Sequence, residues 1–277
     1  MALPRAHTPE NGAMVGPWAQ CVRHPNATPL TYRGTNTWIL AHPAEDRCVV
    51  VDPGPDGTAC VERIEEALAA RGLAVAAVLL THDHADHAGC APICAERWGV
   101  PVLGLRAGTL AAGAVEVADV GLSLEAVPLP GHSSDSAAFY VAEGDLMVTG
   151  DVLFAQSPTM VCWPDGRMDD YLASLDALSR FVAARGVELL ATAHGPVIED
   201  PRERIEAARS HRVRRLNQVV AAVRSGIPAE AAALVEAIYN DVAPDLHDAA
   251  VRSVNAQLRY AFDRGLLQEP TSSGRRR

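Results

Sequence analysis

The chain has 277 residues, of which 48% are hydrophobic and 21% charged, a balance typical of a folded globular protein. That excludes a disordered chain, a collagen and a coiled coil, and no apolar run approaches the roughly 18 residues that a membrane span requires. Charge divides the chain: residues 1–200 hold 11 arginines against 25 acidic residues and residues 201–277 hold 13 against 9, so an acidic body of −14 precedes a mildly basic tail of +4. An acidic body is a poor non-specific binder of nucleic acid, because phosphates must be neutralised. The N-terminus has no basic start followed by an apolar stretch, so no secretory signal is read and the expected location is cytoplasmic. The six cysteines, Cys21, Cys48, Cys60, Cys90, Cys94 and Cys162, form no CxxC pair and are expected as reduced, mostly buried thiols.

Short β-branched runs alternate with helical patterns up to residue 200. NTWIL (36–40) and CVVVD (48–52) read as strands, DPGPDG as a turn and 58–71 as an amphipathic helix ended by Gly72. AVAAVLL (74–80) is a buried strand, and 85–99 reads as one helix closed by Gly99. VPVLGL, LSLEAVPL, SAAFYVA and DLMVTGD follow as strands separated by Gly, Pro, Ser and Asp. Apolar positions 172, 175, 178, 181 and 182 have helical spacing within 168–186, and ELLATA (188–193) is the last strand of the body. This order predicts an α/β protein with two sheets and helices outside. Beyond Pro201 the texture is helical, with helices over 202–224, 227–240 and 246–265, a short strand at LLQE and a disordered SSGRRR end. Two units follow: a catalytic body at 1–200 and a C-terminal domain at 201–277.

The string LLTHDHADHAG carries the chemistry. It puts His82, His84, Asp86 and His87 between a buried strand and the start of a helix. His82 and His84 lie two apart on extended backbone and can point the same way, while Asp86 and His87 address a second point nearby. Imidazoles and carboxylates are ligands for zinc-like ions. LPGHSSDS then places His132, TGDVLF places Asp151, and LLATAHGPV places His194, each after an apolar strand, so all can gather along one sheet edge. Singly, His132 or His194 would be an ordinary core histidine and Asp151 a turn residue. Five of the ten histidines falling into these motifs favour a shared site. Ser133, Ser134 and Asp135 lack the GxSxG elbow of a serine hydrolase and read as a turn supporting His132.

Taken in order over residues 30 to 200, VVVDPG, THDHADH, PGHSSDS, TGD and AHGP resemble the metallo-β-lactamase superfamily of hydrolases. The resemblance implies an αββα sandwich and two Zn2+ ions. It implies that His82, His84 and His132 hold one ion and Asp86, His87 and His194 the other, with Asp151 bridging. Asp52 matches an aspartate expected below the metals, supporting ligands rather than binding metal itself. The tail is similar to the subgroup of β-lactamase-like protein 2, which ends in a small winged-helix domain and includes an RNA-cleaving member and thioesterases. The segment VLFAQSPTMVCWPDGRM departs from the RNA-cleaving pattern.

The mechanism implied is attack by a hydroxide bound by the two zinc ions on a carbonyl or phosphorus, with Asp86 or Asp151 carrying the proton to the leaving group. The leading substrate is a small ester, thioester or lactone. The alternative is an endoribonuclease or phosphodiesterase acting on single-stranded nucleic acid, and a third, weaker reading is a mononuclear iron oxygenase. A true β-lactamase is disfavoured by the missing export signal and the absence of lysine, and glyoxalase II by the different tail. Phe154, Met160, Trp163 and Pro164 offer an apolar wall beside Asp151, with plain packing as the competing role. Arg202, Arg209, Arg212, Arg214 and Arg215 could face phosphates, although a solvated face interleaved with Glu203 and Glu206 is the stronger expectation. No membrane partner is expected.

Overall fold

The computed structural model describes residues 9–239 and 243–269. Its first sheet contains, in spatial order, β1 (Met14–Val15), β2 (Ala19–Arg23), β3 (Asn36–Ala41), β4 (Arg47–Val51), β5 (Ala74–Leu79) and β6 (Val102–Leu103). Strands β1 to β4 pair antiparallel, whereas β4, β5 and β6 pair parallel. The second sheet holds β7 (Gly113–Val115), β8 (Leu124–Pro128), β9 (Ala137–Val141), β10 (Leu146–Gly150) and β11 (Leu189–Thr192), antiparallel except for β10 beside β11. The helices are α1 (Thr58–Arg71), α2 (Ala85–Ala88), α3 (Ala91–Trp98), α4 (Met168–Arg185), α5 (Pro201–Arg224), α6 (Ala231–Ile238) and α7 (His247–Asp263).

Two-residue alternation decides the layering. Trp38 and Leu40 of β3 face Phe139, Val141 and Val148 of the second sheet, while Ile39 and Ala41 turn the other way onto Ile64 and Leu68 of α1. On the far side, Tyr140, Met147 and Leu190 lie under Tyr171, Leu175 and Leu178 of α4 and under Ile205 and Ala208 of α5. The result is the expected α/β sandwich of two mixed sheets between helices. Trp38 is fully enclosed, and its indole nitrogen is satisfied by the Thr192 carbonyl at 3.1 Å. Among the described residues no helix is long and apolar enough to cross a membrane.

Several expectations change. The helix over 85–99 is two helices, because Cys90 leaves the helical region and Pro92 has no amide to continue the α2 ladder. Gly89 sits at this break, where a Cβ would lie 2.4 Å from the Asp56 nitrogen. The third C-terminal pattern ends in turns, and LLQE forms no strand. The Leu266 and Leu267 amides bond back to the Ala261 carbonyl at 2.8 and 3.2 Å, closing α7 instead of offering themselves to a ladder. Leu267 is buried in the cluster of Leu216, Val219, Leu234 and Val254, so the described part of this tail is helical and shows no wing. The expected start of α6 also moves from 227 to Ala231, past Pro228. The SSGRRR end and Asn240 lie outside the described residues.

Candidate metal centre

Four of the cleft donors follow the carboxyl end of a strand: His82 follows β5, His132 follows β8, Asp151 follows β10 and His194 follows β11, while Asp86 and His87 lie in α2 and Asp52, beneath the cleft, follows β4. Two sheets must therefore be held edge to edge. Asn36 donates to the carbonyls of Thr192 and Gly195, each at 3.1 Å, and the Ala137 amide donates to the Thr81 carbonyl at 2.8 Å. Gly150 permits a close approach: its φ is +53°, and a Cβ there would lie 2.4 Å from Thr81 Oγ1. Gly131 does the same for the His132 turn, where a Cβ would meet the Tyr171 backbone at 2.3 Å.

For three of the rings, hydrogen bonds on the outer side decide which nitrogen faces the cleft. His132 Nδ1 donates to the Met160 carbonyl at 2.8 Å, which leaves a lone pair on Nε2. Thr81 Oγ1 donates to Asp52 Oδ2 at 2.6 Å and therefore accepts from His82 Nδ1 at 3.1 Å, again leaving Nε2 free. His87 Nδ1 lies 2.9 Å from the same Asp52 oxygen and donates to it. The remaining Asp52 oxygen accepts from the Thr81 amide at 2.8 Å. Asp52 thus lies below the cleft, bonded directly to His87 and through Thr81 to His82.

The inward atoms converge. His84 Nδ1 is 3.0 Å from His82 Nε2 and 3.1 Å from His132 Nε2. His194 Nε2 and His87 Nε2 stand 3.3 and 3.5 Å from Asp86 Oδ2. Asp151 lies between the two sets: Oδ2 is 3.6 Å from His132 Nε2, and Oδ1 is 3.4 Å from both His87 Nε2 and His194 Nε2. In each of the sets His82–His84–His132, His82–His87–Asp151 and Asp86–His87–His194, ligand atoms lie within 4.8 Å of one another, close enough to hold a cation. All seven donors expected from the sequence meet in this one cleft.

Electrostatics favour a positive charge here. Burial drives the His82 pKa well below the ordinary value, helped by His87, and burial also lowers that of His132. Burial opposes a charge on His87 as well, yet Asp151 and Asp52 overcome it and hold its pKa well above the ordinary value. Burial disfavours ionised Asp151 too, but His194 and His87 keep its carboxyl well below the usual range. Among the described residues, the buried His87 Nε2 and Asp151 Oδ1 have no hydrogen-bond partner although they face each other. Lone pairs aimed at a common point, with two orphaned atoms among them, fit a divalent ion of the zinc type.

The cleft has a volume of about 240 Å³. Phe154 and Met160 line it as expected, but Trp163 and Pro164 do not. Trp163 packs on the second-sheet core with the Arg167 guanidinium 5.3 Å over its ring. Leu30, Thr31, Ala249 and Arg252, which no motif marks, also line it. Arg106 was equally silent: it ties three loops together through Asp83 at 3.5 Å, Asp135 at 3.2 Å and Asp165 at 3.5 Å. Ser133 and Ser134 support the His132 turn through Ser136 and Asp165.

The arginines of α5 do not form a single solvated face. Arg202 and Arg214 are exposed, but Arg209 pairs with Asp176 at 2.8 Å, Arg215 lies 4.3 Å over the Tyr239 ring, and Arg212 is buried. Arg204 and Arg212 share the stripe of Ala208 and Leu216, spaced by four, and that register was the signal available in the sequence.

Comparison with known proteins agrees with this geometry. The family model described as "Metallo-beta-lactamase superfamily" matches residues 30–111 and 108–194. A β-lactamase-like protein 2 homolog of Caenorhabditis elegans is 24% identical over 258 residues, covering 88% of this chain and 84% of the relative. An atrochrysone carboxyl ACP thioesterase of Aspergillus fumigatus is 29% identical over 243 residues, covering 80% of this chain and 74% of the relative. The crystal structure of a β-lactamase domain protein from Burkholderia ambifaria superposes with a TM-score of 0.76 at 22% identity, covering 96% of this chain and 94% of that one.

Proposed function

Because the chain belongs to the metallo-beta-lactamase superfamily, we propose that it is a binuclear zinc hydrolase that cleaves a small ester, thioester or lactone. His82, His84 and His132 would hold one ion, Asp86, His87 and His194 the other, and Asp151 would be shared. Two such ions supply a Lewis acid for the oxygen under attack and a water acidic enough to react near neutral pH. The observation that carries this reading is Asp151, whose two oxygens face different histidine sets, Oδ2 toward His132 and Oδ1 toward His87 and His194.

The chain's own groups then have defined tasks. Asp52 and Thr81 fix the rings of His87 and His82. The Asp86 side chain is 33% exposed against 11% for Asp151, so Asp86 is the carboxylate able to hand a proton to a departing group in the cleft. Phe154 and Met160 exclude water and favour an acyl part. The catalytic unit is residues 1–200, and residues 201–277 form a second unit whose α7 supplies Ala249 and Arg252 to the cleft wall. The six free thiols support a reducing compartment, the cytoplasm.

Thioester hydrolysis is supported by the relative named as a thioesterase. Against the nucleic-acid reading stands the acidic body of −14, which the tail of +4 offsets only in part, with Arg209 of that tail already paired to Asp176. The test combines metal analysis of protein purified without chelator with kcat/KM on an acyl thioester, a lactone and a single-stranded oligonucleotide. More than one equivalent of zinc and turnover of an acyl substrate are expected. Cleavage of the oligonucleotide alone would replace the acyl reading, and a reproducible single iron would replace the binuclear one.

A further inference from the structure

Beside the metal cleft lies a second cavity of about 260 Å³, which shares Leu30, Phe154, Met160 and Ala249 with it. Its walls are mainly apolar but include two arginines, Arg215, which is half-buried, and Arg212, which is only 5% exposed. Arg212 Nη1 makes one long contact, 3.5 Å to Ser253 Oγ, and the guanidinium carbon stands 5.4 Å over the Tyr171 ring. Among the described residues no carboxylate pairs with it, and its Nη2 is buried without a hydrogen-bond partner. Arg209, three residues earlier on the same helix, does have its carboxylate in Asp176. His211, which also lines the cavity, is pushed down to about 4 by burial and the neighbouring arginines, so its ring is neutral at pH 7.

A buried guanidinium without a counter-charge is costly, and an aromatic face offsets only part of that cost. A cavity that is apolar along its length and holds such a group matches a ligand that is apolar along its length and ends in an anion. We infer that this cavity receives the acyl part of the substrate and that Arg212 binds a carboxylate at its far end, with Ser253 Oγ as a second donor. The preferred substrate is therefore an ω-carboxyacyl thioester or ester rather than a neutral one, an inference that rests on the hydrolase reading above. A carboxylate is the anion proposed because Arg212 is the buried guanidinium of the wall and its fork matches the two oxygens of a carboxylate, whereas Arg215, although it keeps its charge, is half-buried and lies over the Tyr239 ring.

The experiment compares kcat/KM for the adipoyl and methyl-adipoyl thioesters of N-acetylcysteamine, which differ only in the far end. The zinc-loaded wild type should prefer the free carboxylate by about tenfold or more, chiefly through KM. Arg212→Met should bring the ratio near one, and Arg212→Lys should keep part of it. A wild-type ratio near one overturns the inference without any variant, and so does a ratio that survives in a folded Arg212→Met. If both thioesters are inert, the hydrolase reading fails on its own. Calorimetric titration with monomethyl adipate then decides the pocket: binding about tenfold tighter to the wild type than to the methionine variant supports it, and equal affinities overturn it.

Discussion

Replacing Asp52 by asparagine tests whether the cleft is built from below. Asp52 sits at φ +51°, a conformation asparagine also tolerates, so the exchange alters charge and hydrogen bonding without adding backbone strain. The carboxylate now accepts from the Thr81 amide at 2.8 Å, Thr81 Oγ1 at 2.6 Å and His87 Nδ1 at 2.9 Å. An amide offers one oxygen for these three donors. If its NH2 faces the Thr81 amide, two donors meet in a fully buried place. If it faces His87, the ring must move its hydrogen to Nε2, aimed at Asp151 Oδ1, where a cation needs a lone pair. Either way one buried donor or acceptor is lost, at about 1–3 kcal/mol of stability. Loss of the supporting carboxylate should weaken zinc binding about 10- to 100-fold. Zinc titration against a competing chelator, with urea unfolding of the same samples, reads both quantities. An asparagine variant with wild-type zinc affinity would falsify the orienting role of Asp52.

Asp151→Ala should abolish hydrolysis and reduce zinc below two equivalents while the circular dichroism spectrum stays native, because the carboxylate lies between the two histidine sets and outside the strands that build the core; wild-type turnover would contradict the assignment. Gly150→Ala places a Cβ 2.4 Å from Thr81 Oγ1 at a φ of +53°. It should cost roughly 1–3 kcal/mol in urea melts and lower kcat by displacing Asp151, and an unchanged midpoint would refute the close-approach argument. His24 is enclosed, 2.7 Å from Thr37 Oγ1, and burial, with Arg63, pushes its pKa down from 6.5 to about 4. The unfolded chain binds the extra proton first, so this contribution to stability is fully present above pH 6.5 and declines by up to about 3 kcal/mol as the pH falls to 4. His24→Gln should flatten that decline, and an equally steep one would assign the pH dependence elsewhere.

What was legible in the sequence and what was not follows the range of the interactions. The donors could be read because each stands one to four residues beyond an apolar strand, so local pattern alone brings His82, His132, Asp151 and His194 to one edge. The core strands were equally legible, since β3 and β4 are buried on both faces and read as continuous apolar runs. The opening strands of the two sheets were not. β1, β2 and β7 have two, five and three residues with little β-branched character, and they exist because a neighbouring strand offers them a ladder. The split between α2 and α3 turns on Cys90 leaving the helical region just before Pro92, a break that the continuous helical spacing of 85–99 conceals.

The second cavity was the least legible part, for a different reason. Arg212 stands among Arg209, Arg214 and Arg215, and composition there suggests a solvated face. Its neighbours in space are Tyr171 from α4 and Ser253 from α7, brought together only by the packing of three helices. Helical register was the one local clue, because Arg204, Ala208, Arg212 and Leu216 fall on one buried line. Arg204 resolves its burial with backbone carbonyls, bonding Phe154 and Ser157 at 2.5 and 2.7 Å. Arg212, eight residues on, has a single weak contact and an aromatic face. Two arginines on one buried line, one satisfied by the protein and one left short, mark the second as the position where a ligand completes the set.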